Sequence, residues 1–162
     1  MLHNAMTKTI CLSATNATET NTVSGTLTNG GTGYVEIDTL GFDYAALDVI
    51  LSKSNTTSNA PSIVTLGDSD VTGTSNYTTI TAFSGATATA TNVSWLIPVT
   101  GVLTAQPNVY RLNVDTRARR RYLLVSASPV TTASLSVDAR LSRGELPPTN
   151  AAQGNVQAFV SG

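Results

Sequence analysis

Acid–base catalysis near neutral pH needs a group that titrates there, and histidine is the usual one. The sequence holds one histidine, His3, and one cysteine, Cys11. A Ser-His-Asp or Cys-His arrangement would therefore rest on a residue in segment 1–7, which is expected to be a loose N-terminus. One Cys and one His do not make a zinc set. Cys11 alternates with polar residues in Thr7-Lys8-Thr9-Ile10-Cys11-Leu12. With no His or carboxylate beside it to activate a thiol, it reads as a small buried strand residue. Two carboxylate pairs remain. Glu36 and Asp38 are spaced to share the wet face of a strand. Asp68 and Asp70 lie in Gly67-Asp68-Ser69-Asp70, a turn in which Asp caps its own backbone. The fuller oxygen-ligand pattern of a calcium loop is absent there. Asn29-Gly30-Gly31-Thr32-Gly33 precedes a strand and lacks the Lys-Ser/Thr of a phosphate loop. The expectation is a chain with no catalytic residue, no metal and no cofactor: not an enzyme.

One charged feature stands apart. Arg111, Arg117, Arg119, Arg120 and Arg121 are five of the nine basic residues, within eleven positions. Strand alternation through Arg117-Ala118-Arg119-Arg120-Arg121-Tyr122-Leu123 would put Arg117, Arg119 and Arg121 on one side and Arg120 on the other. Arginine suits interface pairs because its planar fork bonds carboxylates bidentately. The functional reading is a subunit contact, with carboxylates of an adjacent subunit as the natural partners. The plainer reading is a solvated hairpin end that discourages edge pairing. Nucleic-acid binding ranks below both, because no aromatic-interleaved basic groove accompanies the cluster.

The elements that must position these residues are strands. In Ala133-Ser134-Leu135-Ser136-Val137-Asp138-Ala139-Arg140-Leu141-Ser142-Arg143, apolar and polar residues alternate without a break. This period of two puts Leu135, Val137, Ala139 and Leu141 on one face, with Asp138 and Arg140 on the other. Residues 34–38 alternate likewise, and 44–51 turn Ala45, Leu47, Val49 and Leu51 inward. Leu40-Gly41-Phe42-Asp43 is a turn between them. Further strands are expected at 8–14, 62–66, 77–82, 93–99, 109–114 and 119–126, separated by turn-rich stretches at 29–33, 54–60, 67–73 and 84–92.

Composition agrees. Charged residues are 12% of the chain, about half the usual share, while the hydrophobic fraction is an ordinary 41%. Threonine alone is about one residue in six. β-Branched side chains fit a pleated surface better than a helix. The fold class expected is all-β: an antiparallel β-sandwich or jelly-roll-like domain over residues 1–143, with an extended C-terminal arm over 144–162. The arm loses the alternation, carries Pro147-Pro148, and ends on Val156, Phe159 and Val160, apolar enough to dock on a subunit interface. A frayed tail is the competing reading. A net charge of -1 gives no pull toward nucleic acid or anionic membrane. The sequence shows no apolar run long enough for a signal peptide or a membrane span. Four Asn-X-Ser/Thr triplets, starting at Asn16, Asn55, Asn76 and Asn92, are expected by chance in so Asn- and Thr-rich a chain.

Several phrases, in order, carry a resemblance. Tyr34-Val35-Glu36-Ile37-Asp38-Thr39-Leu40-Gly41-Phe42-Asp43-Tyr44-Ala45 leads into Leu47-Asp48-Val49-Ile50-Leu51. Leu66-Gly67-Asp68-Ser69-Asp70, Tyr77-Thr78-Thr79-Ile80, Arg120-Arg121-Tyr122-Leu123-Leu124-Val125 and Leu135-Ser136-Val137-Asp138-Ala139-Arg140-Leu141 follow. Over residues 33–143 this order resembles small virion proteins of tailed bacteriophages, especially head decoration (capsid cement) proteins. The resemblance implies a β-sandwich or jelly roll, often a homotrimer, on the capsid exterior. Such a protein bridges major capsid protein subunits and has no catalytic residues. The arm would then clamp a neighbour. The alternatives are another tail or neck structural protein, or a tail-fibre or adhesin module that stacks a glycan on Trp95, Tyr77 or Tyr110.

Overall fold

The computed structural model describes residues 31–51, 61–87, 93–97, 107–129 and 133–143 with their side chains. It also describes the backbone of strands at Thr7–Ala14, Thr26–Leu27 and Ala158–Ser161. In chain order the strands are β1 (Thr7–Ala14), β2 (Thr26–Leu27), β3 (Gly33–Asp38), β4 (Tyr44–Leu51), β5 (Pro61–Ser69) and β6 (Thr78–Ala86). They continue as β7 (Trp95–Leu96), β8 (Asn108–Asp115), β9 (Tyr122–Pro129), β10 (Ala133–Ser142) and β11 (Ala158–Ser161). The only helical pieces among the described residues are two 3-10 turns, Thr74–Asn76 and Thr116–Ala118. The protein is all-β.

The strands form two sheets. The first runs β1-β10-β4-β8-β11, with β2 also pairing β10, and the second runs β3-β9-β5-β6-β7. Pairing is antiparallel except where β11 joins β8 and β7 joins β6. Alternation explains which side of each sheet is dry. In β10, Leu135, Val137, Ala139 and Leu141 are at most 1% exposed, and Ala45, Leu47, Val49 and Leu51 of β4 are fully buried. From the second sheet come Val35, Ile37, Val64, Leu66, Phe83, Leu123 and Val125, all in the same hydrophobic cluster. Each large aliphatic so buried stabilises the fold by about 1.5–3 kcal/mol relative to exposure.

Local chemistry and long-range pairing disagree in three places. Gly67, Asp68 and Ser69, expected in a turn, belong to β5, where β9 pairs with all three and β6 pairs with Gly67 and Asp68 from the other side. The turn falls later, around Gly73, whose φ of 101° suits glycine. Ser84, Gly85 and Ala86, expected in a separator, extend β6 against Thr65, Val64 and Ile63. Most consequential for function, no strand spans 119–126: β9 begins at Tyr122, and Thr116–Ala118 is a 3-10 turn. The turn forms because the Asp115 carboxylate accepts from the Arg117 N–H at 3.1 Å, while the Thr116 hydroxyl donates to the Phe42 carbonyl at 2.6 Å.

At the termini, Thr7 already belongs to β1, and the His3 expectation lies outside the described residues. In the expected arm, Ala158–Ser161 forms β11 beside β8, while 144–157, including Val156, lies outside the described residues.

Candidate functional site at the charged end

Strand registers bring three connections to one end of the fold. Tyr44 opens β4 opposite both Asp115, the end of β8, and Ser142, the end of β10. Asp38, Tyr122 and Ser69 form one row of the second sheet, and Asp68 pairs with Thr78. The connections 39–43, 70–77 and 116–121 therefore lie together. Two of them cross between sheets, and they are laced to each other. Thr39 N–H and its hydroxyl both donate to the Arg121 carbonyl, at 3.0 and 2.6 Å, and the Thr116 N–H donates to the Asp43 carbonyl at 3.0 Å. Asp43 N–H reaches the Ser142 carbonyl at 3.1 Å, tying in β10.

On this frame the arginines find carboxylates of their own chain. Arg121 grips Asp38 with two bonds, at 3.0 and 2.7 Å, while its guanidinium lies 4.7 Å above the Tyr122 ring. Arg117 grips Asp115 at 2.9 and 2.6 Å, and that bidentate contact holds the Asp115 carboxyl down at about 2. Arg120 lies 3.7 Å from Asp70, and its N–H faces Asp68 at 3.4 Å. Arg143 donates to the Gly41 carbonyl. Arg119 differs: its Nε is buried without a hydrogen-bond partner among the described residues. These pairs are exposed, with side-chain exposures of 42–43% for Arg121–Asp38, so each contributes little to stability.

Arg111 does not join the others. It stands mid-strand on β8, on the side of the first sheet turned away from the core, and grips Asp48 at 2.6 and 2.7 Å. Arg140 approaches the same Asp48 at 3.4 Å, and the hydrogen-bonded Asp48 raises the Arg111 pKa. Both partners of this pair are mostly buried, at 14% and 13% exposure. By register Phe159 and Val160 of β11 lie opposite Arg111 and Leu112 on the adjacent strand. Near them the Tyr44 hydroxyl and both polar atoms of the Asn113 amide are buried without a partner among the described residues. Burial pushes the Tyr44 phenol up to about 12.

No family model and no curated protein sequence matches the chain.

The remaining candidates are also accounted for. Glu36 and Asp38 share a face of β3 but are separately engaged: Asp38 with Arg121, Glu36 with the Tyr77 hydroxyl at 2.5 Å and the Gly73 N–H at 3.2 Å. Among the described residues no three His, Cys, Asp or Glu side chains group closely enough to hold a metal ion. The β1–β10 register sets Cys11 opposite Asp138. Of the rings available for stacking, Tyr110 is fully buried, and Trp95 packs against the core with its ring centroid 6.2 Å from that of Tyr110. Gly85 makes room for it, since a β-carbon there would overlap the indole.

The Tyr77–Glu36 contact was invisible in the sequence. Gly67, Leu124 and Glu36 form one row across β5, β9 and β3. Tyr77 enters beside Gly67, where an added β-carbon would meet its Cβ at 3.2 Å, and its hydroxyl ends on Glu36. The side chain thus lies across the row, and Leu124 is only 4% exposed although it points away from the core. Gly67, expected in a turn, turns out to be an outward-facing glycine within β5, where a close approach of another chain segment needs one.

Proposed function

We propose that the protein is a structural, non-catalytic virion component. In this reading it is a β-sandwich of jelly-roll type that sits on the outside of a tailed-phage head and bridges major capsid protein subunits, with residues 144–162 as an arm. The observation that carries the reading is how the ionised groups are used. Asp38, Asp48, Asp115, Arg111, Arg117 and Arg121 close on one another as paired forks, so their charges are spent within the chain. A protein of this kind works through contact area and multivalency, for which rigid, internally neutralised surfaces are suited. The phrase order over 33–143 supplies the virion assignment, and the Phe159–Arg111 register supports an arm that seats on the β8 edge.

Cryo-electron microscopy of heads from the phage encoding the chain, with and without its gene, tests the reading. Expected is density on the outer shell that disappears with the gene, and heads that rupture at lower temperature. Density at the neck or tail would move the protein to the alternative structural role. A glycan-binding role loses its Tyr110 platform to core burial; saturable binding on a glycan array, abolished by Trp95→Ala in a folded variant, would restore it.

A further inference from the structure

The outward side of the second sheet is chemically unlike the charged end. In one row Ile63 on β5 pairs with Ala86 on β6, which pairs with Leu96 on β7. In the next row Tyr34 on β3 pairs with Ser126 on β9, which pairs with Thr65 on β5. The intervening residues Val35, Val64 and Val125 are at most 4% exposed and belong to the core, so these two rows face out. Tyr34, Ile63 and Leu96 are 39%, 44% and 57% exposed. No residue in either row is charged. Among the described residues, the other exposed large apolar ones, Leu40 and Val71, lie in the connections at the charged end.

We propose that this face is where a second copy of the chain packs, face to face about a two-fold axis. Burying an unpaired charge is costly, so an uncharged apolar face selects an uncharged partner. The charged end could cover it only by desolvating its own ion pairs. Among the described surfaces, the one that matches the face is the face itself. Its layout is self-complementary. Ile63 stands on β5, the middle strand of five, while Tyr34 and Leu96 stand on the two edge strands. A two-fold axis lying in the contact plane along β5, near Ile63, brings Ile63 onto its counterpart and sets Tyr34 of each copy on the side of the other copy's Leu96, one row away, in an isologous contact. The inference does not depend on the virion reading. It differs from the homotrimer implied by the resemblance, since an isologous contact makes pairs.

Light scattering coupled to size-exclusion chromatography on the full chain tests it. The expected result is a dimer that Ile63→Lys converts to monomer and Leu40→Lys leaves intact, with both variants retaining their strand circular dichroism. A cross-link gives the second measurement. Within one chain Tyr34 and Leu96 are four strand spacings apart, about 19 Å, whereas sheets stacked face to face lie about 10 Å apart. In a Cys11→Ser background, Tyr34→Cys with Leu96→Cys should give a covalent dimer with a bis-maleimide whose reach lies between those two spans, and neither single variant should. A wild-type monomer, a trimer unaffected by Ile63→Lys, or a dimer broken by Leu40→Lys alone would overturn the proposal. A dimer of this kind found on no capsid would leave it standing while removing the virion reading.

Discussion

The Tyr77 hydroxyl donates to the Glu36 carboxylate at 2.5 Å from the far side of two intervening strands. It is a brace laid over the outward side of the second sheet, roofing Leu124 and requiring the bare backbone of Gly67. Tyr77→Phe keeps the ring and removes only the hydroxyl. The expected cost is about 1.5–3 kcal/mol, the usual worth of a hydrogen bond to a charged group, read from urea denaturation midpoints at constant slope. An unchanged midpoint would mean that ring packing alone covers Leu124.

Tyr77 and two further tyrosines set an alkaline limit. Burial raises the phenols of Tyr44, Tyr77 and Tyr110 above the ordinary value of 10, Tyr44 to about 12 and the other two further, with the Glu36 hydrogen bond adding to the rise at Tyr77. Each holds its proton more tightly folded than unfolded. Their stabilisation is complete below pH 10 and drains away as pH climbs through 12 and beyond. Phenolate absorbance and circular dichroism followed together should show ionisation of the buried rings coinciding with loss of strand signal. Full ionisation of all five tyrosines in a still-folded chain would contradict this burial.

Two Arg–Asp forks of similar geometry should differ sharply in worth. Asp48 and Arg111 are mostly buried, so Asp48→Ala strands a guanidinium away from water; the expected loss is about 3 kcal/mol. Asp38 and Arg121 are exposed, and Asp38→Ala should cost under about 1 kcal/mol. Thermal melts of the two variants side by side check the ordering. Equal losses would mean that bond geometry outweighs desolvation here.

Gly85→Ala is a small change with a large expected effect. The new methyl would fall inside the Trp95 indole, which must tilt out of its seat beside Tyr110. A destabilisation of about 1–3 kcal/mol is expected, the range for overpacking, with a red-shifted tryptophan emission. Trp95 is the chain's only tryptophan, so the emission reports this seat alone.

How far the sequence could be read depended on where the determining contacts lie. β4 and β10 were legible because the dry face writes itself into every second residue, and the structure buries the residues so marked. The arginine cluster was legible as a cluster and illegible as geometry. Its turn depends on the Thr116 hydroxyl reaching Phe42, seventy-four residues away, and on carboxylates at positions 38 and 70. Alternation extrapolated backward from Leu123 had no access to those contacts. Gly67-Asp68-Ser69 failed in the opposite sense, since its local turn chemistry yields to ladders on both sides. The uncharged patch on the outward side of the second sheet was hidden for a third reason. Tyr34, Ile63 and Leu96 are scattered singly along the chain, and only the registers align them.

The place of β10 between β1 and β4 bears on how the chain is made. Its partners Thr7–Ala14 are translated more than a hundred residues before Ala133–Ser142. At ribosomal speeds of about 5–20 residues per second, β1 leaves the exit tunnel on the order of ten seconds before its partner exists. Until then β1 stands unjoined to the sheet, and once β8 has followed β4 their pair carries two open edges, which a nascent chain stalled before residue 133 would offer to its polysome neighbours.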